Sequence, residues 1–302
     1  MEGAVTNPNT AEFHNYLEWS DEGKPTFWRY VGTLAIVLFI WRFAQSVLPM
    51  LVPPPYENPV MGMVVLVVPF LGAFILLPLT TKYILKRPAF SIALPSWPPR
   101  WGDWFLGAGF GLAIFVVTTA VLLPMSPLTY RGWDSWSNLE VVLPFLLLAI
   151  VGLFFQTGFE EMYFRGLFEQ LVRKYTKNIW LVLGLPAIGF ASTHIGNISD
   201  FGSKWTAMLP YLLLALSFAW AAWRTGSLLM AMGLHFANNL SIALFVSTRG
   251  DVVPTISPFV NTDSSLTAAI AYTFVQAVLT IAVVEVVVQR RERQAVRAST
   301  IA

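Results

Sequence analysis

Eight segments of the chain are long and almost wholly apolar, and polar residues, prolines and glycines cluster between them. They cover residues 28–51, 60–84, 103–125, 141–165, 179–196, 206–224, 227–247 and 266–289. A helix that crosses the hydrocarbon core of a bilayer needs about 20 such residues. The pattern therefore predicts an all-α polytopic membrane protein with about eight transmembrane helices.

The composition supports this fold class, since 56% of the 302 residues are hydrophobic and only 12% are charged. A soluble domain carries about 25% charged residues. The absence of cysteine excludes disulfides and thiolate metal sites. With a formal net charge of +2, no nucleic-acid partner is expected, and the lipid bilayer is the partner that the composition requires.

The connections between the segments show one domain with a polar leader. No internal repeat or low-complexity region interrupts residues 1–302, which we interpret as a single transmembrane domain. Residues 1–26 are polar and acidic and lack the basic-then-apolar pattern of a cleaved signal peptide, so we interpret them as a cytoplasmic leader.

Lysine and arginine alternate between rich and poor connections, which predicts the orientation by the positive-inside rule. The rich ones follow the second, fourth and eighth segments and hold Lys82, Lys86, Arg87 and Arg100, then Arg173, Lys174 and Lys177, then Arg290, Arg291, Arg293 and Arg297. Both termini are therefore predicted to be cytoplasmic.

Three groups of polar residues interrupt the apolar segments, although one charge at the bilayer centre costs at least ~2.5–3.5 kcal/mol. They are Glu160, Glu161 and Arg165 in the fourth segment, Phe190 and His194 near the end of the fifth, and His235, Asn238 and Asn239 in the seventh. Two of the three histidines of the chain thus lie in hydrophobic segments. Polar residues in such places indicate a functional site by default.

Helix geometry sorts these residues by face. Glu161 and Arg165 are four residues apart and are predicted to pair. Glu160 is rotated by about 100° from Glu161 and is left without the arginine. His235 and Asn239 are also four apart and share a face, whereas Asn238 points elsewhere.

Depth brings the groups together. If the fourth and fifth segments form a hairpin that turns near Lys177, Glu160 lies 17 residues before the turn and His194 lies 17 residues after it. Both side chains are then about 25 Å from the turn, at ~1.5 Å per residue.

Two kinds of chemistry suit one carboxylate, two imidazoles and an amide at a common depth. A glutamate beside a histidine can hold and deprotonate a water molecule, and N–H donors can stabilise a developing oxyanion. Alternatively, two histidines and a glutamate can bind zinc. The spacing is not the H-E-x-x-H helix, so the zinc interpretation is less specific.

The motifs E-E-x-x-x-R (Glu160, Glu161, Arg165), F-x-x-x-H (Phe190, His194) and H-x-x-x-N (His235, Asn239) resemble the signature of the CAAX protease and bacteriocin-processing family. These intramembrane proteases are akin to the type II CAAX prenyl endopeptidase. All three motifs occur in the family order and in separate segments. The resemblance covers residues 140–247, which would be the catalytic core.

The resemblance implies an endopeptidase that hydrolyses a membrane-associated protein or peptide. The short loops and the compact chain indicate a prokaryotic cytoplasmic membrane as its location. Glu160 would activate water, His194 would position it, and His235 with Asn239 would stabilise the oxyanion. Glu161 and Arg165 would support these residues. No cofactor or metal is expected, and zinc is the alternative that we do not favour.

Two other functions fit the same residues. Glutamate and histidine inside a membrane also build proton relays, so a proton-coupled transporter is one alternative. A non-catalytic scaffold or immunity protein of the same fold is the other. The confinement of the polar residues to three segments disfavours a transporter, whose sites usually repeat in both halves.

Overall fold

The computed structural model describes residues 14–52, 58–132, 134–195, 206–248, 253–261 and 265–301. Residues 1–13 of the predicted leader lie outside the described part. The helices within it are a 3₁₀ helix (Tyr16–Asp21), α1 (Phe27–Leu51), α2 (Pro59–Tyr83), α3 (Trp101–Leu122), α4 (Asp134–Ser137), α5 (Leu139–Glu161), a π-helical segment (Met162–Phe168), α6 (Glu169–Tyr175), α7 (Ile179–Ser192), α8 (Met208–Thr225), α9 (Leu229–Leu244) and α10 (Leu266–Ile301).

Each predicted apolar segment coincides with a helix, and the all-α polytopic fold is confirmed. In the described part of the chain, five helical runs are long and apolar enough to cross a membrane: Phe27–Leu51, Pro59–Tyr83, Trp101–Leu122, Leu139–Tyr175 and Leu266–Thr300. Helices α7 and α9 are apolar but shorter. Eight crossings therefore stay a prediction.

Asparagine caps the first turn of α2, α5 and α7. The side chains of Asn58, Asn138 and Asn178 each accept a hydrogen bond from the backbone N–H two residues later. Such a cap satisfies one of the donors that the first helical turn leaves free. These caps mark the starts of α2, α5 and α7. The cap at Asn178 lies in the turn that joins the fourth and fifth predicted segments.

Close packing of α3 on α9 fixes the helix that carries His235. A Cβ atom added at Gly233 would lie 2.1 Å from the carbonyl oxygen of Trp104, and one at Gly107 would lie 2.3 Å from that of Met230. Small residues on facing sides of two membrane helices let their backbones approach closely. A side chain at either glycine would push the two helices apart.

The 3₁₀ helix, the start of α3 and the basic part of α10 lie near the end of α8. The backbone N–H of Tyr16 donates to the carbonyl oxygen of Gly226 at the end of α8. Arg100 donates to Thr225 in the same turn, and Arg291 of α10 pairs with Asp103 of α3. The 3₁₀ helix and the basic end of α10 therefore lie on one side, as the alternation of charges predicted, and that this side is cytoplasmic stays a prediction.

A small sheet lies at the opposite end, after α3 and α9. Strand β1 (Leu128–Tyr130) pairs antiparallel with β3 (Phe259–Asn261), and β2 (Val246–Thr248) pairs parallel with β3. The sequence pattern did not predict these strands, which are only three residues long.

Candidate active site

The helix that carries the two glutamates changes its hydrogen-bond pattern beside them. Helix α5 ends at Glu161 and continues without a break through the π-helical segment into α6, so the helical run reaches Tyr175. The fourth apolar segment was predicted to end at residue 165, ten residues earlier. A π-helical turn inside an α-helix frequently marks a functional site.

Glu160, Glu161, Arg165 and His235 form a buried group that we call the inner cluster. The Nδ1 atom of His235 lies 2.8 Å from Oε1 of Glu161, and its Nε2 atom lies 3.5 Å from Oε2 of Glu160. Arg165 lies 3.2 Å from Glu161, so the predicted ion pair is present. The exposed fractions of the four residues, in the order named, are 3%, 0%, 1% and 5%.

His235 therefore faces a different carboxylate with each ring nitrogen. A neutral imidazole has one donor and one acceptor nitrogen. Glu161 is held by Arg165 and lies within hydrogen-bond distance, so it is the natural acceptor for the Nδ1 proton. This assignment leaves Nε2 of His235 directed at Glu160.

Glu160 is the less occupied of the two carboxylates. Its Oε2 atom is buried and has no hydrogen-bond partner among the described residues. The side chain of Gln156, one turn earlier in α5, lies beside the Glu160 carboxyl. An acceptor oxygen in this position can take a hydrogen bond from a water molecule or a substrate.

Gln156 also connects Glu160 to Asn239, a link that the sequence interpretation missed. The Asn239 amide donates to Oε1 of Gln156 over 2.9 Å, and Asn239 accepts a hydrogen bond from Asn238 over 3.0 Å. Gln276 of α10 donates to Asn238 in turn. A buried glutamine four residues before Glu160 in an apolar helix was the available signal.

His194 stands apart from the inner cluster. It follows the end of α7 by two residues, and its Nδ1 atom lies 2.8 Å from the carbonyl oxygen of Phe190. Its ring packs on Phe190 at 4.4 Å and on Tyr211 at 4.5 Å between centroids. Within the described residues no hydrogen bond joins it to either glutamate, but the contact at Nδ1 leaves Nε2 as the acceptor nitrogen.

Phe190 connects His194 with the inner cluster. The guanidinium carbon of Arg165 lies 4.4 Å from the centroid of the Phe190 ring, and the His235 ring lies 6.0 Å from it. The turn between α6 and α7 falls at residues 176–178, so the predicted hairpin near Lys177 is present. Residues of all three sequence motifs thus contact the ring of Phe190, which packs against Arg165, His194 and His235.

The donors do not fit a metal ion. Among the described residues, no group of three histidine, aspartate or glutamate side chains is arranged to hold one. Both nitrogens of His235 face carboxylates, and one nitrogen of His194 is occupied by a backbone carbonyl. We derive no catalytic step through zinc.

A small cavity of about 10 Å³, which none of the inner-cluster residues lines, lies between α3, α8, α9 and α10. Its lining includes Phe218, Asn238 and Gln276. The Phe218 ring stacks on His235 with 5.2 Å between centroids. The cavity therefore adjoins the hydrogen-bonded pair of Asn238 and Gln276.

One region of the chain matches the sequence profile of a known family. Residues 142–241 match the sequence profile described as "Type II CAAX prenyl endopeptidase Rce1-like". This interval includes every predicted site residue and lies within the predicted core. The profile covers about a third of the chain.

Individual relatives are bacterial. The "Uncharacterized protein YyaK" of Bacillus subtilis (strain 168) is 28% identical over 182 residues, which are 58% of each chain. The "Lincomycin resistance protein LmrB" of Listeria monocytogenes is 30% identical over 135 residues, 43% of this chain but 25% of that protein. The matches therefore span less than two thirds of these relatives. No solved structure matches the chain significantly.

Proposed function

We propose, on the premise that residues 142–241 place this chain in the Rce1-like family, that the protein is an intramembrane endopeptidase. It hydrolyses a peptide bond of a membrane-associated protein or peptide. One observation carries this proposal: Glu160 and Nε2 of His235 face each other over 3.5 Å in a buried cluster, and Oε2 of Glu160 has no hydrogen-bond partner among the described residues.

Glu160 acts as the general base. A water molecule that hydrogen-bonds to its free oxygen gives up a proton to the carboxylate while its oxygen attacks the carbonyl carbon of the substrate. Glu160 then returns this proton to the leaving nitrogen as the C–N bond breaks. General acid–base catalysis of this kind contributes about 10²–10⁴-fold to a rate.

His235 and Asn239 stabilise the oxyanion that forms at the carbonyl oxygen. His235 donates from Nδ1 to Glu161, and in its doubly protonated form it has a second N–H, at Nε2, which it presents to the oxyanion. The amide nitrogen of Asn239 has two hydrogens and uses one for Gln156, which leaves the second for the substrate. Donors fixed before the reaction stabilise developing charge without reorganisation.

His194 positions the attacking water. The carbonyl oxygen of Phe190 orients its ring through Nδ1, and a ring held in this way keeps one tautomer. Its acceptor nitrogen is then available to a water molecule. The packing between Phe190 and Tyr211 keeps this nitrogen at a fixed angle.

The bacterial relatives support a prokaryotic cytoplasmic membrane as the location. We place both termini in the cytoplasm because the basic residues of α6 and α10 lie at the end of the bundle that carries the 3₁₀ helix. The substrate would reach Glu160 from within the bilayer or from its surface.

The decisive experiment compares the wild-type protein with Glu160→Gln in liposomes. The probe is a fluorescence-quenched peptide that ends in a farnesylated CAAX sequence, and the membrane peptides of expressing cells are compared by mass spectrometry. We expect Glu160→Gln to lower cleavage by about 10²–10⁴-fold, because glutamine cannot accept the proton. Glu140→Gln, an exposed change in the same helix, is the control and keeps full activity.

Retained cleavage in Glu160→Gln would remove the proposed mechanism. If neither assay detects products and cells with Glu160→Gln keep the wild-type phenotype, a scaffold or immunity function replaces the enzyme. Proton flux into the liposomes would favour the transporter.

A further inference from the structure

A second buried polar group lies one helical turn beyond the inner cluster. It comprises Tyr16, Arg87, Glu169 and Gln170, all of which are buried, and we call it the N-terminal cluster. The sequence motifs do not include any of these residues. Their burial beside the predicted site raises the question of what a segment before the first apolar helix does there.

Glu169 depends on Tyr16 for its hydrogen bond. The Tyr16 hydroxyl donates to Oε2 of Glu169, whereas Oε1 of Glu169 is buried without a partner among the described residues. A buried carboxylate with one oxygen unbonded is costly, so it is sensitive to the loss of its remaining donor.

Arg165 stands between two acids. Glu161 precedes it by four residues and Glu169 follows it by four, at the two ends of the π-helical segment. The arginine is paired with Glu161, and its Nε atom has no hydrogen-bond partner among the described residues. The guanidinium is thus paired with Glu161, and its charge also acts on the buried Glu169.

We propose that Tyr16 is a positioning residue of the active site. Its hydroxyl holds Glu169 away from Arg165, so that Arg165 stays paired with Glu161 and Glu161 holds His235. This inference rests on the proposed function, since it assigns the segment before α1 to the orientation of a catalytic histidine.

The surroundings of Tyr16 are those of a fixed donor. Its backbone N–H donates to Gly226 over 2.9 Å, and its carbonyl oxygen accepts from Gln170 over 2.7 Å. Burial, and then the neighbouring Glu169 carboxyl, raise the pKa of the Tyr16 hydroxyl well above its usual range. The hydroxyl therefore keeps the proton that it donates.

Loss of the Tyr16 hydroxyl changes how the Arg165 guanidinium interacts with Glu161 and Glu169. Without its donor, Glu169 draws the guanidinium toward itself, and Glu161 loses part of its ion pair. The bond from Glu161 to Nδ1 of His235 then no longer fixes the imidazole. Substrate binding is untouched in this scheme, whereas the chemical step slows.

The experiment compares Tyr16→Phe with Tyr30→Phe in the full-length protein. Both changes remove a buried tyrosine hydroxyl, but that of Tyr30 contacts Ser20 and Arg87 rather than Glu169. With the farnesylated CAAX peptide, we expect kcat to fall roughly tenfold in Tyr16→Phe with KM unchanged, the size of one hydrogen bond to a charged group. Tyr30→Phe keeps kcat, and adding Glu169→Gln to Tyr16→Phe restores it.

A second readout does not require turnover. Dicyclohexylcarbodiimide modifies protonated carboxyl groups in apolar surroundings, and mass spectrometry locates the adduct. We expect labelling of Glu161 to rise severalfold in Tyr16→Phe but not in Tyr30→Phe. Equal effects of the two variants, or no effect of Tyr16→Phe on labelling, would overturn the inference. Absence of cleavage by the wild-type protein would count against the proposed function, and the labelling would still decide the role of Tyr16.

Discussion

The inner and N-terminal clusters are both buried and polar, but they differ in how many of their hydrogen bonds are made. Arg87 of the N-terminal cluster donates to the Trp19 carbonyl, the Tyr30 hydroxyl and Gln170. The inner cluster leaves four buried atoms of Glu160, Glu161 and Arg165 without a hydrogen bond from the described residues, whereas the N-terminal cluster leaves two, Nε of Arg87 and Oε1 of Glu169. Its contacts are mainly between charged groups.

This difference separates a group that fixes the fold from one that is built to bind. An unmade hydrogen bond in a buried site costs about 1–3 kcal/mol. Such a cost persists where a ligand, a substrate or a water molecule completes the bonding during function. The N-terminal cluster gains its bonds from backbone carbonyls and therefore ties the leader to α6 and to the loop after α2.

Replacing each buried arginine by methionine gives the largest predicted effect. Arg165→Met leaves the Glu161 carboxylate without its charge partner, and breaking a buried pair in this way destabilises by about 3–5 kcal/mol. We expect a strongly lowered midpoint of thermal unfolding in detergent and no measurable cleavage. Size-exclusion chromatography after heating and the liposome assay measure the two outcomes.

Arg87→Met is the matched control for this prediction. The acceptors of Arg87 are neutral, so the change strands hydrogen-bond acceptors rather than a charge, and we expect a loss of about 1–3 kcal/mol. A larger loss of stability in Arg87→Met than in Arg165→Met would contradict the division of the two clusters.

The sequence was sufficient for the helices and for the pairs that lie within one helix. Apolar length located all eight main helices, and four-residue spacing was enough to predict the Glu161–Arg165 pair. Charges in a membrane segment are costly wherever they occur, so their positions are informative without a structure.

Contacts between distant segments were beyond the sequence pattern. The contacts of His235 with both glutamates join α9 to α5, and spacing along one helix does not report how two helices pack. The packing of Tyr16 against α6 is likewise tertiary, because a polar leader carries no periodic signal. The separation of His194 from the glutamates follows from the end of α7 at Ser192, where the expected segment continued to residue 196.

Asn239→Ala tests whether the Asn239 amide, next to the inner cluster, donates a hydrogen bond to the oxyanion. Removing one oxyanion donor typically lowers kcat by about 10²–10³-fold, and we expect this loss with little change in the unfolding midpoint. Asn238→Ala, which removes the neighbour that donates to Asn239, should cost less than about tenfold, since the Gln156 contact remains. Equal losses of kcat in both variants would assign Asn239 to the polar network rather than to the oxyanion.

The smallest expected effect is that of a chelator. The free oxygen of Glu160 lies beside His235, and either a water molecule or a metal ion could complete its bonding. Because both nitrogens of His235 face carboxylates, we expect water, and 1,10-phenanthroline should leave cleavage of the peptide within twofold of the untreated rate. Metal analysis of the purified protein should find less than one zinc per ten chains. Loss of activity on chelation, with recovery on addition of zinc, would show that the unbonded atoms of the inner cluster are metal ligands. The mechanism in which Glu160 alone activates water would then be wrong.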